Sequence, residues 1–225
     1  KTHATSPVPR VGHTMITAPN GRGVLLFGGR DSNDDLLDDV WLFDPKAGAN
    51  GTWTQLSSGP SKRRQASMAY DPVREQVWLF GGRRGATFFN DLWVGALGPT
   101  GDIAWTPAGS TMPDFPFVRS DASLVFEPVG DQLILFGGRP DSSLLASSAQ
   151  PVANDLWAYR IDPDPLSGEW HSLAANQPTA SVASLDGTHI GRARGGAANI
   201  ATVDSTLVVF GCTTQGLGVR EVDAS

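Results

Sequence analysis

Four arginines recur at a near-constant distance ahead of a glycine. Arg10, Arg64, Arg119 and Arg194 precede Gly28, Gly81, Gly137 and Gly211 by 17 or 18 residues. A guanidinium is a permanently charged planar fork of N–H donors. It binds carboxylates and phosphates through paired, charge-assisted hydrogen bonds. Four forks in one phase predict a cationic ring suited to an acidic partner. The same fork can instead pair with an Asp or a backbone carbonyl of its own chain. On sequence alone both readings stand.

Other chemistry is sparse. The four histidines are scattered and form no pair at metal-ligand spacing. The glycine doublets are followed by Arg, with no Lys-Ser/Thr and no helix, so they do not form a phosphate loop. Residues 31–39 are acidic, but they lack the spacing and the sixth-position Gly of an EF-hand loop. They are expected to form a solvated acidic connection. Cys212 is the only cysteine, so there is no disulfide framework and no thiolate metal site. The expectation is no catalytic set, no metal and no cofactor.

The elements that must position the arginines are copies of one unit. Leu26-Phe27-Gly28-Gly29-Arg30 returns as Leu79-Phe80-Gly81-Gly82-Arg83 and as Leu135-Phe136-Gly137-Gly138-Arg139. A worn copy runs from Val209 to Cys212, with Gly211 in the place of the first glycine. Successive first glycines are 53, 56 and 74 residues apart. A period near 50 signals stacked supersecondary units. A Trp follows each doublet in Asp-Asp-Val-Trp41, Asn-Asp-Leu-Trp93 and Asn-Asp-Leu-Trp157, and a second follows at Trp53, Trp105 and Trp170. Short alternating apolar runs, with Pro, Gly and Asp at the turns, predict four strands per unit and few helices. The doublets and the phased Trp residues are read as structural.

This pattern of an apolar strand, Gly-Gly, a spaced aromatic and a spaced Trp resembles the kelch repeat, and it covers nearly the whole chain. The resemblance implies an all-β fold of four-stranded antiparallel blades in a β-propeller. It also implies that the Arg near the start of each inner strand can line the channel mouth and grip acidic peptides. In that pattern Arg119 is followed by Ser and then Asp, a departure from the family's small residue. Some kelch propellers resemble copper radical oxidases. Tyr70, Tyr159 and Cys212 do not form the ligand set that such a site needs.

Three blades are expected at roughly 8–57, 61–108 and 117–174, with an incomplete fourth at 191–225. Propellers usually close with four to eight blades. The chain therefore reads as a segment of a larger propeller, of about six or seven blades. Strand alternation puts the second-to-third connections and the links between blades on one face. That face would hold the arginines, the 31–39 loop and two long connections, 140–153 and 174–190.

The net charge of −6 and pI near 5.1 argue against a nucleic-acid partner. No apolar run is long enough for a spanning helix. The lack of a disulfide framework leans towards an intracellular setting. The favoured expectation is a protein-interaction scaffold, not an enzyme, whose partner is an acidic peptide or a multi-subunit assembly. Two alternatives stay open. One is a catalytic propeller of oxidase, isomerase or lyase type with active groups partly outside this stretch. The other is an architectural module in a large assembly.

Overall fold

The computed structural model describes residues 6–99, 101–109, 115–141, 153, 155–161 and 166–174, and the backbone of strands at 182–183, 189–190, 199–203, 206–213 and 216–223. Among the described residues the regular elements are all strands except one 3-10 turn, Pro19–Gly21. Three antiparallel sheets repeat one plan. The first runs Thr14–Thr17, Val24–Asp31, Leu36–Asp44, Thr52–Gln55, with Arg10–Val11 added beside the second strand. The second runs Ser67–Asp71, Gln76–Phe80, Leu92–Leu97, Ile103–Ala108. The third runs Ser123–Glu127, Gln132–Phe136, Leu156–Arg160, Glu169–Ala174. A three-stranded sheet, Asn199–Val203, Thr206–Thr213, Gly216–Asp223, follows. The first strands of successive sheets neighbour one another in turn, as the inner strands of a propeller do.

Two apolar seams join the first three sheets. Leu25, Phe27, Val40 and Leu42 of the first meet Met68, Val77, Leu79 and Ile103 of the second. Trp78, Phe80, Leu92 and Val94 on the second sheet's other face meet Leu124, Phe126, Leu133, Leu135 and Tyr159 of the third. A strand turns alternate residues to opposite faces, so a sheet packed on both faces reads as a continuous apolar run. Val77-Trp78-Leu79-Phe80 is such a run, and each of the four is buried.

The outer-strand Trp reaches back across the seam. Trp105 lies 6.3 Å from Phe27 and Trp170 lies 5.5 Å from Phe80, centroid to centroid. The phenylalanines of the first two glycine motifs are thus roofed by the next sheet's indole. Trp53 of the first sheet instead packs on Phe43 of its own sheet.

The doublets form the rest of the seam. Gly28, Gly81 and Gly137 have φ of 65°, 63° and 64°. A Cβ on Gly28 would meet the Arg63 carbonyl oxygen at 2.7 Å, and one on Gly81 would meet that of Arg119 at 2.7 Å. The second glycines donate to the same oxygens, Gly29 to Arg63 at 3.0 Å and Gly82 to Arg119 at 2.8 Å. Left-handed backbone and close approach together require glycine here. In the fourth copy, Gly211 and Cys212 lie inside an unbroken hairpin opposite Gly218 and Leu217.

The acidic stretch is not the open connection that its composition suggests. The strand Leu36–Asp44 begins inside it and leaves a tight turn at 32–35. Two of its carboxylates are taken up locally. Asp31 Oδ1 accepts from the N–H groups of Asn33 and Asp35, and Asp34 pairs with Arg30. The connections expected at 140–153 and 174–190, with Arg194, lie almost wholly outside the described residues.

The far end of the blades is tied by separate polar bonds. Arg74 bridges Asp71 of its own blade and Asp131 of the next. Glu75 accepts from the Asn20 N–H of the preceding blade and from the Tyr70 hydroxyl. That hydroxyl's pKa is pushed up to about 12, by burial first and then by the Glu75 contact.

Candidate functional site

Arg10, Arg63 and Arg119 occupy one equivalent position. Each donates through Nη1 to the first doublet carbonyl of its own blade: Gly28 at 3.0 Å, Gly81 at 3.0 Å and Gly137 at 2.8 Å. Each also makes a two-pronged pair with an Asp of the third strand or its approach. Arg10 binds Asp39 at 2.5 and 2.9 Å, Arg63 binds Asp91 at 2.6 and 2.9 Å, and Arg119 binds Asp155 at 2.6 and 2.8 Å. The Trp two residues on closes the set, since Trp41, Trp93 and Trp157 donate Nε1–H to those same carboxylates at 2.7, 2.7 and 2.8 Å. The three Arg side chains are 3, 1 and 0% exposed. Burial pushes the Asp39 carboxyl up, but the Arg10 and Trp41 hydrogen bonds with the Arg10 charge outweigh it. Its pKa lies below the ordinary value.

The phase of the second blade therefore belongs to Arg63. Its distance to Gly81 is 18 residues, as from Arg10 to Gly28 and from Arg119 to Gly137. Arg64, chosen on sequence, stands one residue further on. The strict 18-residue spacing was the available signal, hidden by the Arg63-Arg64 doublet. Arg10 and Arg119 direct their forks inward to Asp39 and Asp155 and do not form a ring with Arg64. Arg194 lies outside the described residues.

The residue after each buried Arg faces the doublet end of the blade. Val11 pairs with Arg30, Arg64 bridges to Arg83, and Ser120 pairs with Arg139. The next residue takes a left-handed backbone: Gly12 at φ 66°, Gln65 at 58° and Asp121 at 56°. These three chain the blades together. Gln65 N–H donates to Gly12 O at 2.7 Å, and Asp121 N–H donates to Gln65 O at 2.9 Å. The unusual Asp after Arg119 thus sits where the family motif makes its turn.

This geometry gathers a different cationic group: Arg30, Arg64 and Arg83. Arg30 pairs with Asp34. Arg83 donates to Gln65 Oε1 at 2.7 Å and lies 5.8 Å over the Phe88 ring. Arg64 is half-buried. Its pKa is held below the ordinary value by burial first, then by the charges of Arg83 and Arg30, with Asp34 and Asp121 opposing. Among the described residues its guanidinium has no hydrogen-bond partner. A half-buried cation beside two others, without a partner, favours an incoming anion. Arg30 and Arg83 are the motif positions after the doublets, and sequence reasoning did not single them out as a site. Phe115 and Phe117, about half exposed, precede Arg119 on the same end.

Among the described residues no group of three or more His, Cys, Asp or Glu could hold a metal, and no helix is long and apolar enough to cross a membrane. Tyr159 is buried in the second seam and Tyr70 serves Glu75, so the two tyrosines do not meet.

Comparison with known proteins locates the repeat. The family model described as the KLHDC2/KLHL20/DRC7 Kelch-repeats domain matches residues 1–211. The flagellar outer-arm dynein alpha chain of Chlamydomonas reinhardtii is 27% identical over 229 residues, covering 98% of this chain and 5% of its own length. Tip elongation aberrant protein 1 of Schizosaccharomyces pombe is 31% identical over 165 residues, covering 68% and 13%. An F-box/kelch-repeat protein of Arabidopsis thaliana is 44% identical over 50 residues, covering 22% and 10%. The chain thus spans between 5 and 13% of these relatives' lengths. The solved structure of YjhT superposes with a TM-score of 0.64 at 13% identity, over 96% of this chain and 66% of that one, which shows the fold.

Proposed function

Because this chain belongs to the kelch-repeat family, whose domains generally mediate protein–protein interaction, we propose that it is a scaffold whose doublet-end face captures an acidic segment of a partner protein. The carrying observation is Arg64. Among the described residues its guanidinium has neither a carboxylate nor a carbonyl hydrogen-bonded to it, and it lies beside Arg30 and Arg83. Arg10, Arg63 and Arg119 support this mouth from behind; they fix the carbonyls and turns that aim Arg64 and Arg83. Recognition then rests on side chains of short turns held by rigid sheets.

The probe is a fluorescein-labelled hexaglutamate peptide, with binding followed by anisotropy at low salt. Arg64→Ala is expected to weaken binding about tenfold, the scale of one charge-assisted hydrogen bond, with an unchanged melting temperature. Arg10→Ala is expected to lower the melting temperature. Equal binding by wild type and Arg64→Ala would overturn the assignment.

A second reading is architectural. It is favoured by the alignment of 98% of this chain to a dynein alpha chain of which it makes up 5%. In that case neighbours would contact outer strands such as Thr52–Gln55, and loss of Arg64 would leave assembly intact.

A further inference from the structure

Two stretches of this chain read Arg-Arg-x-Ala followed by a hydroxyl residue: Arg63-Arg64-Gln65-Ala66-Ser67 and Arg83-Arg84-Gly85-Ala86-Thr87. Arginine three residues ahead of a Ser or Thr is a charge pattern that acidic-clefted protein kinases select. The two are equivalent as sequence and different in space. Ser67 is buried on an inner strand, and its hydroxyl donates to the Ala122 carbonyl. Phosphorylating it would require opening the blade. Thr87 is exposed, as are Arg84, Gly85 and Ala86. Its hairpin pairs Arg83–Arg84 with Thr87–Phe88 and lies outside the four-stranded sheet. Gly85, at φ 60°, makes the turn. A hairpin this short is marginal by itself, so it can extend into a kinase cleft while the blade stays folded. A third match, Arg139 to Ser142, ends outside the described residues.

We propose that Thr87 is a phosphorylation site for a basophilic serine/threonine kinase, and that phosphate there switches the charge of the adjoining mouth. In the transfer, Thr87 Oγ1 forms a bond to the γ-phosphorus of magnesium-bound ATP. The bond from that phosphorus to the bridging oxygen of ADP breaks, and the hydroxyl proton goes to the kinase's base. Arg84 is the cross-strand partner of Thr87. Directly opposed residues present their side chains on one face about 5 Å apart. A phosphate of charge about −1.5 to −2 would therefore take the Arg84 fork, while Arg83 faces Phe88 on the other side of the hairpin. Phosphate on Thr87 adds that negative charge beside the Arg30, Arg64 and Arg83 group. The switch rests on the Arg64 reading above; the modification site does not.

The test incubates the whole chain with the catalytic subunit of a cyclic-AMP-dependent kinase and magnesium ATP, followed by intact mass and peptide mapping. Phosphate is expected on Thr87. It should be absent in Thr87→Ala, and in Arg84→Gln incorporation should be slower by about tenfold or more. Ser67 should stay unmodified in the folded chain, although a synthetic peptide of residues 62–69 accepts phosphate. No phosphate on Thr87 while a peptide of residues 82–89 is modified, or an undiminished rate in Arg84→Gln, overturns the site. For the switch, hexaglutamate affinity should fall by about tenfold or more after modification. Unchanged affinity of the modified chain overturns the switch. Absence of peptide binding before modification overturns the Arg64 reading and the switch together, and mass mapping still decides the site.

Discussion

Replacing Arg119 with Ala should damage the fold far more than replacing Arg64. The Arg119 side chain is fully buried, and its partner Asp155 is 4% exposed. The fork makes two bonds to Asp155, one to the Gly137 carbonyl and, through Nε, one to the Phe117 carbonyl. Loss of the fork leaves a buried carboxylate with the Trp157 indole as its remaining hydrogen-bond donor in the set. Breaking a buried pair from one side costs about 3–5 kcal/mol. At about 2–4 °C per kcal/mol for a chain of this size, the melting temperature should drop by about 6–20 °C. Arg64 has no hydrogen-bond partner to lose among the described residues, so Arg64→Ala should stay within about 0.5 kcal/mol of wild type. The assay is thermal and urea unfolding followed by circular dichroism and Trp fluorescence. The double variant Arg119→Ala/Asp155→Ala adds a check. Its cost should fall short of the two single costs combined, because the second substitution removes the stranded charge. A melting temperature for Arg119→Ala within about 2 °C of the Arg64→Ala value would refute the reasoning, since that is about one kcal/mol at most.

Three further expectations follow from the same geometry. Gly81→Ala places a methyl 2.7 Å from the Arg119 carbonyl at φ 63°, so it should destabilise by about 1–3 kcal/mol, measurable by urea titration; Gly85→Ala, which meets nothing within 4 Å but shares a positive φ, should cost less. Asp131 and Asp39 have carboxyl pKa values below the ordinary value of 3.8, Asp131 chiefly through its Arg74 hydrogen bonds. Stability from both is full above that value and is lost as pH falls through it towards the lower folded values. Melts from pH 7 to 3 should show this loss, and Arg74→Gln should flatten the part due to Asp131. Trp105→Ala uncovers Phe27 in the first seam and, because Trp105 is only partly buried, should cost about 2–3 kcal/mol, less than a fully buried aromatic; a melting temperature equal to wild type would contradict the seam.

What could be read without coordinates was whatever repeats along the chain. The doublets at Gly28, Gly81 and Gly137 and the Trp residues at 41, 93 and 157 mark a blade because a pleated sheet imposes the same turn and the same packing wherever it is copied. All-β architecture and kelch membership follow from that periodicity. The role of each arginine does not. Arg63 and Arg64 are neighbours of one type, and which becomes the buried fork depends on an Asp 28 residues away reaching it. Asp39 looked like one more charge in an acidic run until its strand brought it to Arg10. Ser67 and Thr87 follow the same charge pattern, and only burial in a sheet against exposure on a hairpin separates them. Spacing records what every blade must have in common. Pairing across the fold is set by which groups are brought within hydrogen-bonding distance, and that is decided only when the sheets pack.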